Sequence, residues 1–165
     1  MLNDAEHATD RWEWFMRSDL EALQNSIDRE FPLCVAMGMQ VYDQDEQGLV
    51  LRAPLELNLY GHMGFAGSLN NLCTVAGWGT VFLYLHSNQI PGSIVLRRGV
   101  IEYRQPVDSR EIVARCYPIH EQQLSHFCRM YERMGQAKLD LDVEIHNAQE
   151  VAVFFHGSYA VLRDE

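Results

Sequence analysis

From Leu57 to Leu96 the chain carries no Asp, Glu, Lys or Arg. So long an uncharged stretch first suggests a membrane span, and its composition argues against one. The best apolar run, Leu72 to Leu85, has 14 residues and is broken by Gly77, Gly79 and Thr80, whereas a span needs about 20 mostly apolar residues. A helix buried inside the protein fits better. Positive charge is scarce as well. The formal net charge is -10, which argues against the basic face that nucleic acid requires. An anionic ligand would need a local cluster of cations. The four cysteines, Cys34, Cys73, Cys116 and Cys128, form no C-x-x-C pair and no zinc spacing with histidine. They read as reduced thiols used as small apolar side chains, with no metal and no cofactor expected. Met1 to Asp10 lacks the basic and apolar segments of a signal peptide, so a cytoplasmic protein with no membrane partner is expected. Repeats, low-complexity segments and linkers are missing too. A length of 165 residues suits one domain with a proper core rather than two.

What is present alternates between helical and strand periodicity. Trp12, Phe15, Met16, Leu20, Leu23, Ile27 and Phe31 form one apolar stripe, which predicts a helix from about Arg11 to Arg29. Asp10 with Glu13 resembles a capping box at its start, and Pro32 ends it. Leu33 to Tyr42 alternates and is read as a strand. Asp43 to Gly48 is read as a polar turn, and Gly48 to Leu55 as a second strand. A Gly-rich loop, Asn58 to Gly67, leads into a long helix from near Ser68 to Leu85 or His86, apolar on almost every side. Ile94 to Arg104 reads as a strand, bulged at Arg97-Arg98-Gly99. Arg110 to Tyr117 is its return. Glu121 to Met134 has helical spacing of Leu124, Phe127, Tyr131 and Met134. Gln136 to His146 alternates cleanly, and Val151 to Leu162 is apolar on both faces, as a central strand is. The expected architecture is α+β, with a helical segment at 1–31 and an antiparallel sheet wrapped around one long helix in a core at 32–163.

The loop sharpens this. Asn58, Gly61 and Phe65-Ala66-Gly67-Ser68, followed by Tyr103-Arg-Gln-Pro106 after the helix, resemble the signatures of hotdog-fold thioesterases. Ala53-Pro-Leu, Phe65-Ala-Gly-Ser-Leu69 and Ala76-Gly-Trp-Gly79 are similar to the bacterial thioesterase family of the YiiD C-terminal type, over roughly Leu33 to Leu162. The resemblance implies a hotdog fold, an acyl thioester of coenzyme A or acyl carrier protein as substrate, and a homodimer or dimer of dimers. It implies that Ala66, with Gly67 beside it, donates backbone N–H groups to the thioester carbonyl oxygen at the helix start. Gly77 and Gly79 are expected to let two helices approach across the dimer.

The activating group is less clear. Many hotdog thioesterases place Asp or Glu eight residues after the oxyanion donor, and here that residue is Thr74. No carboxylate exists on the helix. The remaining polar candidates are Asn58, His62, Asn70, Asn71 and Thr74. Asn58 either holds the water or carbonyl, or caps the loop. His62 is a candidate general base or an exposed loop histidine. Asn71 and Thr74 position water, or join helices across a dimer. Phe65, Ser68 and Asn70 are candidate substrate-binding residues at the same helix start. Arg97, Arg98 and Arg104 either meet coenzyme A phosphates or pair with Glu102, Asp108 and Glu111. His120, His126, His146 and His156 read as structural or surface groups. Two rivals to hydrolysis stay open: a non-catalytic acyl-binding protein and a dehydratase or hydratase, which needs a His–carboxylate pair not seen around the helix.

Overall fold

The computed structural model describes residues 4–148 and 150–164, and the side chains from residue 17 onward. Helix α1 spans Asp4–Glu30. It starts earlier than the apolar stripe implied, so Asp10 lies within the helix rather than at its cap. The side chains of Asp10, Trp12, Glu13, Phe15 and Met16 lie outside the described residues. Further on, Leu23 and Ile27 are fully buried as expected.

The segment after α1 differs from its alternating pattern. Leu33 to Ala36 is not strand. Pro32 occupies the first turn of a short helix α2, Pro32–Ala36, where its missing N–H costs nothing. Helical geometry buries Cys34 and leaves Leu33 and Val35 exposed, so the apparent alternation had no sheet face behind it. Strand β1 starts only at Gln40 and runs into the first half of the expected turn, Gln40–Asp45. β2 follows at Gly48–Pro54.

After a single 3₁₀ turn, Leu55–Leu57, come two short strands, β3 Leu59–Tyr60 and β4 Met63–Gly64. Helix α3 is Ala66–Ser87, two residues earlier than its sequence suggested. Strands β5 Ser93–Tyr103 and β6 Glu111–Cys116, helix α4 Glu121–Met134, and strands β7 Gln136–Asn147 and β8 Glu150–Leu162 complete the chain.

Six strands form one antiparallel sheet in the order β1-β2-β6-β7-β8-β5. α3 lies against one face. Leu72, Cys73, Ala76 and Val81 of α3 meet the inward residues Leu51, Ala114, Leu139, Val143 and Phe155, all essentially inaccessible to water. Burying a Leu or Val side chain contributes about 1.5–3 kcal/mol, so this layer dominates stability. α4 stands where β6 stops short of β7: the Gln123 side chain bonds both the N–H and the carbonyl of Asp140.

The expected role of the helix glycines is corrected by what faces them. A Cβ at Gly77 would meet the Tyr159 ring, with its Cζ at 2.6 Å, and one at Gly79 would lie 2.9 Å from Leu49. Both open space for side chains of the same chain.

The two sheet edges are managed differently. On β1, the Gln24 side chain of α1 accepts from the Val41 N–H at 2.6 Å and donates to the Met39 carbonyl at 3.4 Å. β5 has no comparable cover among the described residues.

Candidate active site at the start of the central helix

The loop entering α3 is a small hairpin closed on itself. Gly61 turns it with φ of +65°, a conformation suited to glycine, and His62 follows at the exposed tip. β3 and β4 pair Leu59 with Gly64 and Tyr60 with Met63. The Phe65 N–H closes the loop onto the Asn58 carbonyl at 2.8 Å.

Asn58 is 2% exposed. Its amide donates to the carbonyls of Met37 at 3.0 Å and Pro54 at 2.8 Å. Both donor hydrogens are used, so the side chain has none left for a thioester carbonyl. The Oδ1 is buried without a partner. Asn58 therefore fastens the loop to the segment before β1 and to the end of β2, and its free atom can only accept.

α3 opens with an extended Phe65 and no side-chain cap. The first helical bond is made by Leu69 to Phe65, at 3.0 Å, so the N–H groups of Ala66, Gly67 and Ser68 have no partner within the helix. No acidic residue lies in the first turn, and Ala66 and Gly67 are exposed. Their amides carry the positive end of the helix dipole, with no carboxylate on the first turn to compete for it. The Phe65 ring covers Gly67: a Cβ on Gly67 would fall 2.5 Å from its Cε1.

Two groups, one at the end of β5 and one in the segment after it, hold this start in place. The Val107 carbonyl accepts the Gly64 N–H at 2.7 Å, and the Tyr103 hydroxyl donates to the Ala66 carbonyl at 3.0 Å. Burial, with a further contribution from Cys73, raises the Tyr103 pKa, so the phenol stays a neutral donor. The Tyr103 signature thus acquires a physical reason. Its hydroxyl was not among the expected site groups; the signal was a polar aromatic placed just before Pro106.

Asn71 and Thr74 line an open groove of about 820 Å³ along α3. Asn71 donates to sulfur atoms of Met37, at 3.2 Å, and Cys34, at 3.5 Å. Further along the groove Trp78 stacks on Phe82 at 5.3 Å between centroids and meets Phe31 edge-on at 4.9 Å. Asn70 is exposed on the same first turns and Ser68 is half-buried. His62 has no hydrogen-bond partner among the described residues.

The arginines separate. Arg104 bonds Glu102 at 2.9 Å and lies over the Phe154 ring. Arg98 stands opposite Ser158, on the sheet face away from α3, because the neighbouring Tyr159 faces it. Arg97 is the extra residue of the β5 bulge.

This sheet order around one buried helix, with small residues and free amides at the helix start, is the hotdog thioesterase architecture. Residues 20–163 match the family described as "Putative thioesterase (yiiD_Cterm)", and the chain belongs to that family. Among solved structures, a protein of unknown function from Chlorobaculum tepidum is 30% identical, with 90% of this chain and 97% of that one covered and a TM-score of 0.86. A "putative thioesterase" from Shewanella oneidensis is 29% identical, with 89% and 99% covered and a TM-score of 0.77. A thioesterase from Haemophilus influenzae shares the fold at 14% identity, covering 87% and 90%, with a TM-score of 0.66.

Proposed function

We propose that the protein hydrolyses acyl thioesters of coenzyme A or acyl carrier protein. The observation that carries this reading is the uncapped start of α3, where Ala66 and Gly67 are exposed and their N–H groups have no partner among the described residues. A thioester carbonyl oxygen placed there gains charge as water attacks, and the two amides stabilise it. Water adds to the carbonyl carbon, the C–S bond breaks, and the departing thiolate takes a proton. The products are a carboxylic acid and a thiol. Thr74 and Asn71 face the groove where water and acyl chain would lie, and His62 is the loop group able to take the proton. With both Asn58 donors engaged, its role is to hold the loop, with Oδ1 as an acceptor for a buried water.

A homodimer belongs to this reading. β5 is a long edge with exposed Val95 and Val100, while α1 shields the opposite edge, and an open apolar edge favours pairing with a second chain.

The lack of any carboxylate on α3 favours a second reading, a protein that binds acyl thioesters without turnover. A panel of acyl-CoAs decides, with thiol release and binding affinity measured on the same protein. Thiol release supports hydrolysis, and tight binding without release supports the binder.

A further inference from the structure

The groove along α3 starts below the helix opening already described. Gly67, Asn71, Thr74, Trp78 and Phe82 recur at helical spacing, so they share one stripe of α3, and the last four line the groove. A thioester carbonyl placed on the first turn therefore has one continuous course for its acyl chain. α1 forms one wall. Ile94 and Leu96 of β5 form the other, on the inward face, because they stand opposite Val161 and Tyr159. Strand pairing at the β5 edge uses backbone groups, so a second chain leaves this wall in place. α1 runs antiparallel to α3: Ser87 donates to Asp19 at one end, and Phe31 meets Trp78 edge-on at the other. Leu23 lies beside Gly79. Ser26, one turn further on, thus stands opposite the Trp78 turn. It is 9% exposed, lines the groove and has no hydrogen-bond partner among the described residues. A serine inside a helix commonly bonds the carbonyl one turn earlier, and a buried hydroxyl without a partner is unusual. This one is left for an occupant of the groove.

We infer that the groove takes a straight acyl chain of medium length with a hydroxyl at its far end, held by Ser26 beside the Trp78 ring. The inference rests on the hydrolytic reading for its thioester and deepens it by naming the acyl group. Trp78 lies eleven residues beyond Gly67, about 16 Å along the helix axis. Helix side chains lean back toward the N-terminus, which brings the ring closer, and an extended chain of about ten carbons covers the remaining distance. Its methylenes run past Val75, Ile94 and Leu96. A carboxylate terminus fits poorly. The Arg29 guanidinium already bonds Glu30 at 2.8 Å, and Asp164 stands on the same rim. A hydroxyl is neutral and both donates and accepts, so it pairs with Ser26 in either sense. A plain chain of the same length covers Ser26 and leaves it unpaired, which costs affinity.

The test titrates straight-chain acids from hexanoic to tetradecanoic, each with and without a terminal hydroxyl, into the full-length protein by calorimetry. Wild type, Ser26→Ala, Trp78→Leu and Ser109→Ala are compared, and the same chains are presented as coenzyme A thioesters for binding and kinetics. Near decanoic acid the hydroxylated chain is expected to bind wild type roughly tenfold tighter than the plain one, the worth of one hydrogen bond. The thioesters are expected to show the same preference. Ser26→Ala should remove it, Trp78→Leu should move the optimum to longer chains, and Ser109→Ala, an exposed serine, should change neither. Melting temperatures confirm that the variants fold. No preference for the hydroxyl in wild type, in acids or thioesters, or a preference that survives Ser26→Ala, overturns the inference while any hydrolysis measured stands. An optimum unmoved in folded Trp78→Leu overturns the placement of the chain end. Ser26-dependent binding in a protein that releases no thiol from any thioester upholds the groove and removes the hydrolytic reading instead.

Discussion

The Tyr159 hydroxyl donates a 2.7 Å hydrogen bond to the carbonyl of Thr74. The bond joins β8 to the middle of α3, and it forms because Gly77 leaves no Cβ in the path of the ring. It also fixes the rotation of α3 that turns Thr74 toward the groove.

Gly77→Ala is therefore expected to destabilise more than loss of the bond itself. Overpacking a filled core costs about 1–3 kcal/mol, and the Tyr159 ring is fully buried with no room to retreat. Tyr159→Phe, which keeps the ring and removes one hydrogen bond, costs about 1 kcal/mol. Denaturant unfolding of both variants checks the order. Equal stabilities would mean that Gly77 is not filled as described.

Tyr103→Phe should separate positioning from stability. Tyr103 is half-exposed, so loss of its hydroxyl is expected to change the melting temperature little. The first turn of α3 is held less firmly without it. Misplacing a catalytic group by about 1 Å can cost about 10²-fold, and a loosened turn is expected to lower kcat roughly tenfold with KM little changed. Steady-state kinetics with one acyl-CoA reads this split. A variant with unchanged kcat assigns Tyr103 to packing alone.

Thr74→Asp introduces the acid that α3 lacks. A positioned general base contributes about 10²- to 10⁴-fold, so wild-type turnover is expected to be slow and the variant faster. Burial beside Trp78 would raise the carboxyl pKa by desolvation. The gain should therefore appear as pH rises through that pKa, because the charged form acts as the base. A folded variant that binds acyl-CoA without faster turnover at any pH places the reacting centre away from Thr74.

Sedimentation tests the assembly. The uncovered β5 edge predicts a dimer at micromolar concentration, and Val95→Lys with Val100→Lys is expected to weaken it, since edge lysines discourage strand pairing. A wild-type monomer would contradict the open-edge account.

Most of the sheet was legible because period-two alternation survives where one face is buried. β7 shows this well, with Leu139, Leu141, Val143 and Ile145 inward. α4 was recovered to the residue because Gly135, left-handed at φ of +67°, ends it. The failure at Leu33 to Met39 has a physical cause: five residues of helix and a turn can mimic alternation, and only Pro32 signalled otherwise. The loop motif located the site, since small residues before an apolar helix mark an uncapped start. What stayed hidden depends on contacts distant in sequence. Asn58 spends one donor on Met37, Gly77 is met by Tyr159 from β8, and Arg97 lines one surface with His126 and Lys138 rather than with Arg98 and Arg104.

The central claim is that the Ala66 N–H acts on the thioester. Ala66 is the first residue of α3, where proline is well tolerated, and Phe65 already has the extended backbone, ψ of 129°, that proline favours in its predecessor. Ala66→Pro thus removes one free donor with little effect on the helix. The decisive measurement is thiol release from the best acyl-CoA of the panel by wild type and by Ala66→Pro, each checked for native melting. Removing one oxyanion donor costs about 10²- to 10³-fold, and that loss is the predicted result. A folded Ala66→Pro protein that turns over its substrate at the wild-type rate would contradict it.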